Sequence, residues 1–372
     1  MTIPDFAKRW ASEGLKGRSE SSTGIDRKRG WWESTKNSNY SIRILLVYRS
    51  YSSFVKNDYD VLAKHFSVER FHWRGKRDLP GLVRAVKNSD ITLSWFASDH
   101  AAVTVFFSRL FGKPSFVVVG GGDVAGVPEM GYGAFAQSRL KQGLSRYSLE
   151  NADMLFPVSD FTKDEIFERA KPKRTEVIYN GIDIETFKPA RDKENLIATI
   201  SRVTEQAVAL KGLETFVRAS MHFPDFEFVI IGETERPAVD ELKQMNPDII
   251  ATGHIDHTEI IEWLQRALVY CQLSYREAFG MGVAEAMACG CIPVVTARGA
   301  LPEVVGNSGF HVPYGDEKAT AEAIRRALES PERVGMKARQ RIVEMFSMRR
   351  REQQLVRAIS EIAGAYGLEL LL

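Results

Sequence analysis

The chain has 372 residues, more than one hydrophobic core ordinarily serves, so two domains are expected. Hydrophobic content of 44% and charged content of 26% are ordinary for a soluble globular protein, and a formal net charge of +2 argues against a nucleic-acid binder. No apolar run approaches the length that crosses a bilayer, and no leader-like stretch is expected at the start.

Residues 1–40 lack sustained periodicity and read as a flexible N-terminal extension, rich in Ser, Thr, Gly, Lys and Arg from Lys16 to Asn39. Within it, Pro4 to Leu15 carries Phe6, Trp10 and Leu15 among charges, and Trp31-Trp32 follows the basic run RKRG. Aromatics beside cations suit a bilayer interface, or equally docking onto the protein's own surface. The first half of the chain is mildly basic and the second mildly acidic, which a solvated surface explains as well as a membrane-facing patch does.

From Ser41 strands and helices alternate. IRILLVY, FSVERFHW, DITLSWF and PSFVVVG read as strands, and VKNDYDVLAKHF, LPGLVRAVKN and HAAVTVFFSRLFG as the helices between them. The strands are short and rich in Val, Ile, Leu and Phe, as in a parallel sheet buried on both faces. GGGDVAGVPEMGYG, Gly120 to Gly133, follows the fourth strand. Its glycines can simply make a turn, but a lone Asp123 at a carboxyl strand end also suits an acceptor ligand or a base. NADMLFPVS and TEVIYNGID close this first unit, with a tight turn at Asn180-Gly181 and a domain boundary near Phe187.

The second unit opens with the strand NLIATISRV, which ends around Arg202, and a helix ALKGLETFVRAS that carries Lys211 at its start. EFVIIGE and IIATGHI are further strands, the latter ending at Gly253-His254-Ile255. His254 and His257 straddle a strand end and a helix start, so their spacing does not indicate a metal. DHTEIIEWLQRA is a capped amphipathic helix. Next come a buried strand, LVYCQLS, a glycine-punctuated polar loop from Tyr275 to Gly282, a small-residue helix from Val283 to Cys289, and a second strand, IPVVTA. This is a βαβ unit, whose loop lies at the carboxyl end of its strand, where open α/β sheets bind ligands. The free N–H groups that open the helix suit a phosphate. Glu277 and Glu285, eight positions apart, bracket the loop. Each can serve merely to complement the helix dipole. Alternatively each accepts hydrogen bonds from vicinal hydroxyls, one holding a sugar and the other a ribose with the pyrophosphate between. Cys271, Cys289 and Cys291 fall in the apolar parts of this unit and read as buried thiols in a reducing compartment.

The run EAFGMGVAEAMACGCIPVV closely resembles the E-x7-E signature of retaining GT-B glycosyltransferases, the family 4 or glycosyl transferases group 1 type, and supporting matches extend from about Tyr147 to Asp316. PVSDFTKDEI resembles the family's V-S-x-F-x-K segment, VIYNGIDIETF its N-G-V-D-x-x-x-F segment, and GALPEVVGNSGFHVPYGD its G-x-P-E-V-V run. The resemblance implies that Glu277 contacts the donor sugar, Glu285 the ribose, and Phe279, Gly280, Met281 and Gly282 the sugar and diphosphate. It implies that Arg202 and Lys211 neutralise the diphosphate, and that Gly253, His254 and Ile255 lie beside the nucleobase. Glu303 is expected to order the loop beneath the donor. There are departures: Ser50, Ser52 and Ser53 stand where a Gly-Gly pair is common, Gly122-Asp123 where a His is common, and Ser201 where the G-R-x…K-G pattern has Gly.

The sequence thus predicts an α/β protein of GT-B type: a Rossmann-like acceptor domain at 41–187, a donor domain at 188–350, and a C-terminal helix within 351–372 returning to the first domain. It predicts a retaining, metal-independent hexosyltransferase in the cytoplasm, or at the inner face of the membrane. The donor would be a GDP- or UDP-hexose and the acceptor a glycan or a lipid-linked glycan, with no cofactor and no nucleic acid. A nucleotide-sugar epimerase of the same fold and a non-catalytic partner subunit are the alternatives.

Overall fold

A computed structural model describes residues 42–190, 192–330 and 333–368. The amphipathic segment from Pro4, the Trp31-Trp32 pair and the last four residues lie outside the described residues.

The first sheet contains β1 (Arg43–Tyr48), β2 (Ser67–His72), β3 (Ile91–Trp95), β4 (Ser115–Val119) and β5 (Met154–Pro157), all parallel, in the order β2-β1-β3-β4-β5. β1, β3 and β4 are apolar nearly throughout and occupy the buried middle; SVERFH is polar on both faces and takes the edge as β2. Five helices cover the faces: α1 (Ser53–Leu62), α2 (Leu79–Asn88), α3 (Asp99–Leu110), α4 (Arg139–Asn151) and α5 (Asp160–Arg169).

The second sheet is β6 (Glu194–Ile200), β7 (Glu227–Ile231), β8 (Ile250–Ala251), β9 (Ala267–Gln272), β10 (Ile292–Thr296) and β11 (Phe310–Val312), parallel in the order β11-β10-β9-β6-β7-β8. Its helices are α6 (Glu205–Lys211), α7 (Leu213–Ser220), α8 (Arg236–Met245), α9 (His257–Arg266), α10 (Met281–Ala288), α11 (Leu301–Val305), α12 (Glu317–Leu328) and α13 (Arg333–Met345). The strand order reverses between β1 and β3 in the first sheet and between β6 and β9 in the second. Such reversals open crevices at the carboxyl ends of the strands.

Helix α14 (Met348–Ala365) crosses back to the first domain. Leu355, Ala358, Ile359 and Ile362 join one apolar core with Ile44, Leu46 and Val55 of the first domain and Phe279 and Met287 of the second. At its start the buried Arg351 clasps the buried Asp58 of α1 with two bonds, of 2.6 and 2.8 Å. Its remaining Nη1 donates to the carbonyls of Ile178 and Tyr179. Trp95 Nε1 also donates to Asp58, at 2.8 Å.

Four elements differ from the sequence expectation. ALKGLETFVRAS is broken at Gly212, so Lys211 ends α6 instead of opening a helix; Thr204 caps α6 by accepting from Ala207 N–H. TEVIYNGID is an extended strap. Its Glu176 and Ile178 N–H groups donate to β5 carbonyls, but it forms only isolated bridges before leaving the domain. Helices α4 and α8 come from polar sequences, RLKQGLSRYSLEN and RPAVDELKQM, that carry no strong apolar run.

Candidate active site

The loop from Leu273 to Gly280 leaves β9 at the switch point of the second sheet and enters α10. Glu277 turns inward, and its Oε1 accepts from Lys211 Nζ at 2.6 Å, Ser274 Oγ at 2.8 Å and Gln272 Nε2 at 3.1 Å. Behind it Gln272 Oε1 accepts from the buried Tyr270 hydroxyl, which itself accepts from Ile200 N–H of β6. Thr296 Oγ1 fixes the Ser274 carbonyl. A polar relay thus runs beneath the loop from strand to carboxylate, and buried polar groups so paired hold a fixed geometry. Sequence reasoning missed this relay; its signal was Gln272 and Ser274, two polar residues in an otherwise apolar strand.

Lys211 reaches Glu277 because of Gly212. That residue has φ +65°, and a Cβ on it would lie 2.1 Å from the Leu273 carbonyl oxygen, so the chain turns tightly against the end of β9. Burial works against the Lys211 charge, but Glu277 beside it more than compensates and holds the ammonium above its ordinary pKa. One of its three donors is used by Glu277, and two remain for a ligand. Arg202 stands exposed beyond β6 and pairs with Glu233 beyond β7 at 3.1 Å. Both cations therefore sit at carboxyl strand ends of one sheet.

Helix α10 begins at Gly280 with no side-chain cap, leaving its first N–H groups to an anion. Met281 and Gly282 open it, and Gly282 faces the Tyr270 hydroxyl and Ile200, so the helix lies close upon β6. Glu285 accepts no hydrogen bond from any described residue. Burial pushes its carboxyl up to about 8, so the acid is largely neutral at pH 7 until a ligand hydrogen-bonds to it. The structure corrects the expectation for Phe279. Its side chain is buried and packs on Tyr179 and Phe346, so only its backbone belongs to the loop surface. Gly253 turns at φ +73° beside Gly232, with His254 exposed and Ile255 half-buried next to it.

The first domain meets this loop directly. A Cβ on Gly121, whose φ is +108°, would lie 2.2 Å from that of Ala278, so only glycine permits the approach. The nearly buried Arg276 donates to the Gly121 carbonyl at 3.1 Å and forms a two-pronged ion pair with Glu165 of α5, with an Nε–Oε1 distance of 3.1 Å. Ser159 Oγ donates to the Ala278 carbonyl at 2.5 Å. Glu303 does not stay under its own loop: it accepts from Asp160 and Phe161 N–H, capping α5 of the first domain. Asp123 is buried with both oxygens engaged, Oδ2 by Ala97 N–H at 2.7 Å and Oδ1 by Gly121 N–H at 2.8 Å. Desolvation raises its pKa despite these bonds. Its geometry is that of a brace between two loops. Tyr132, on the same loop, is half-buried within reach of the charges of Arg276, Glu277 and Lys211.

Comparison with known proteins agrees with this geometry. Residues 182–345 match the family described as glycosyl transferases group 1. The chain is 28% identical over 248 residues to the alpha-maltose-1-phosphate synthase of Mycolicibacterium smegmatis, covering 56% of this chain and 63% of that protein. It spans about half the length of the curated relatives it matches. Among solved structures it superposes on Anabaena Alr3699/HepE in complex with UDP, with a TM-score of 0.73, 17% identity, and coverage of 86% and 100% of the two chains. For the sucrose-phosphate synthase of Thermosynechococcus elongatus the TM-score is 0.72 at 18% identity, with coverage of 87% and 100%. The fold is GT-B.

Proposed function

The second domain of this chain belongs to the glycosyl transferases group 1 family, and on that premise we propose that the protein is a retaining, metal-independent hexosyltransferase using a nucleotide-diphosphate sugar. The observation that carries the proposal is the Lys211–Glu277 pair, 2.6 Å apart, at the mouth of the uncapped α10 helix, with the unpartnered Glu285 farther along the same helix. The diphosphate lies on the α10 N–H groups between Lys211 and Arg202, Glu285 receives the ribose hydroxyls, and the Gly253–Ile255 turn flanks the base.

The bond from the sugar C1 to the diphosphate oxygen breaks, and the acceptor hydroxyl oxygen forms the new bond to C1. Its proton passes to the departing diphosphate. Lys211 and Arg202 stabilise the negative charge that grows on the leaving group, the task a metal performs elsewhere. Glu277 is held by three donors, which suits it to steady the positive charge of the sugar ring and not to attack it. Asp123 positions the loop that faces the donor. The aromatic and basic extension at residues 1–40 is consistent with peripheral contact at the inner face of a membrane. Among the described residues no helix is long and apolar enough to cross one.

The test is incubation with UDP- and GDP-hexoses, with and without chelator, following nucleoside diphosphate release and the anomer of the freed or transferred sugar by NMR. Release with the α configuration, unaffected by chelator, is expected. Inverted product, or abolition by chelator, sinks the corresponding part of the proposal. Conversion of donor to an epimer without diphosphate release identifies an epimerase instead.

A further inference from the structure

We propose that Tyr132 determines specificity for the transferred sugar: its phenol, presented by the first domain, hydrogen-bonds a hexose hydroxyl that Glu277 holds from the second. The inference deepens the transfer reading above and rests on it. Tyr132 is half-buried, yet its hydroxyl makes no hydrogen bond to any described residue. A buried phenol ordinarily finds a partner. Gly122 lies against the oxygen: a Cβ there would stand 3.4 Å from it, and glycine leaves that side open. With Gly122 and Asp123 the ring also walls a cavity of about 710 Å³, so there is room beside it for a ligand group.

The chain around Tyr132 is fixed from both domains. Val127 and Tyr132 exchange both backbone bonds at 3.0 Å and close a tight turn over Pro128 to Gly131. Gly133, at φ +94°, packs on the Ala125 carbonyl, where a Cβ would come within 2.2 Å of the oxygen. Ala134 N–H then donates to the Gly122 carbonyl at 2.8 Å. Across the cleft, Gln206 of α6 donates to the Met130 carbonyl at 3.0 Å, and the Tyr275 hydroxyl donates to Glu129 at 2.8 Å. The turn that carries Tyr132 is thus docked on the end of α6 and on the donor loop itself. A side chain on so braced a backbone keeps one orientation towards a ligand.

The groups facing the phenol name the class of ligand. The Arg276 guanidinium lies 5.8 Å from the ring centroid, and the charges of Glu277 and Lys211 also reach the hydroxyl. Burial raises the phenol above its ordinary pKa, so it is a protonated donor at neutral pH. Glu277 spends only Oε1 on Lys211, Ser274 and Gln272; its Oε2 receives no hydrogen bond from any described residue. Each domain therefore offers one unpartnered oxygen: a carboxylate oxygen that only accepts, and a phenol that donates. A group between them must donate to the first and accept from the second. A phosphate oxygen only accepts and an apolar group does neither, whereas a sugar hydroxyl does both. A donor sugar lacking that hydroxyl leaves both oxygens unpaired, the situation in which a site rejects an analogue most strongly.

The test is calorimetric titration of the full chain, wild type and Tyr132→Phe, with UDP, GDP, their hexose conjugates, and singly deoxygenated hexose analogues of those conjugates. Tyr132→Phe keeps the ring and removes only the oxygen. It should bind the free nucleoside diphosphate as wild type does and lose about tenfold in affinity for the hexose conjugate. One deoxy analogue should bind wild type about tenfold more weakly than its parent, and wild type and Tyr132→Phe should bind that analogue equally. A tyrosine that only supports the loop gives another pattern. Equal loss for the parent and every analogue, or a parallel loss for the free nucleoside diphosphate, overturns the proposal, as does unchanged affinity for the conjugate. If wild type binds the conjugates and Tyr132→Phe matches it throughout, this inference alone falls. If wild type binds neither nucleotides nor conjugates, the transfer reading falls and takes the inference with it.

Discussion

Replacing Glu285 with Gln separates a ligand-binding carboxylate from a helix-dipole partner. In the unliganded protein burial raises the Glu285 pKa from 4.5 to about 8. A raised carboxyl favours folding fully only below its unfolded value; that advantage is lost as pH rises from about 4.5 and has gone once pH passes about 8. The shift corresponds to some 1.4 kcal/mol per unit. Because the residue is half-buried and partly screened, about 2 kcal/mol is the appropriate order of magnitude. Gln mimics the neutral acid at every pH. Melting curves of wild type and Glu285→Gln should therefore nearly coincide at pH 5, with the variant several degrees more stable at pH 8.5. Ribose hydroxyls donating to the carboxylate lower its pKa in the complex. Wild-type affinity for UDP or GDP should then rise by up to about tenfold between pH 7 and pH 9, as the free carboxyl ionises through its pKa of about 8. The variant should show a flat profile and weaker binding. A dipole partner behaves in the opposite way: Glu285→Gln would lose about 0.3–1 kcal/mol of stability at neutral pH and keep its nucleotide affinity. Equal melting temperatures at pH 8.5, or the same pH slope in both proteins, refutes the assignment.

Other perturbations act on separate parts of the structure. Glu277→Gln keeps the contacts with Ser274 and Gln272 but removes the charge facing Lys211, and should chiefly lower kcat, with a smaller change in donor KM. Arg351→Met leaves the buried Asp58 without its ion pair and should cost about 3–5 kcal/mol in urea or thermal unfolding; a loss under 1 kcal/mol would show that α14 is held by its apolar face alone. Arg276→Ala frees Glu165 and the Gly121 carbonyl at the domain contact. It should raise protease sensitivity and KM together, and unchanged kinetics would mean that the contact does not order the donor loop.

What could be read from the sequence and what could not follows the range of the interactions. β1, β3, β4, β6, β7 and β9 were legible because each is a short apolar run between turn residues, and the loop from Tyr275 to Gly282 was legible because glycine punctuation and two carboxylates fall within one βαβ unit. Lys211 was placed on the wrong helix end because the break at Gly212 depends on the Leu273 carbonyl, which is distant in sequence. Phe279 looked like a site residue because its neighbours are. Its partners Tyr179 and Phe346 come from the strap and the end of the second domain. Arg276 with Glu165, and Glu303 with the start of α5, join residues more than a hundred positions apart, and local periodicity carries no trace of them.

The central claim is that the loop between β9 and α10, with Lys211, holds a nucleoside diphosphate. Its most direct test is isothermal titration of UDP, GDP and their hexose conjugates into wild type and Lys211→Ala. Wild type should bind one of the two nucleotide series, and the loss of the lysine should weaken that binding by about 10²-fold, the cost of removing a charge-assisted partner of about 2.7 kcal/mol. No binding of either series to wild type, or equal affinity in Lys211→Ala, would contradict the account.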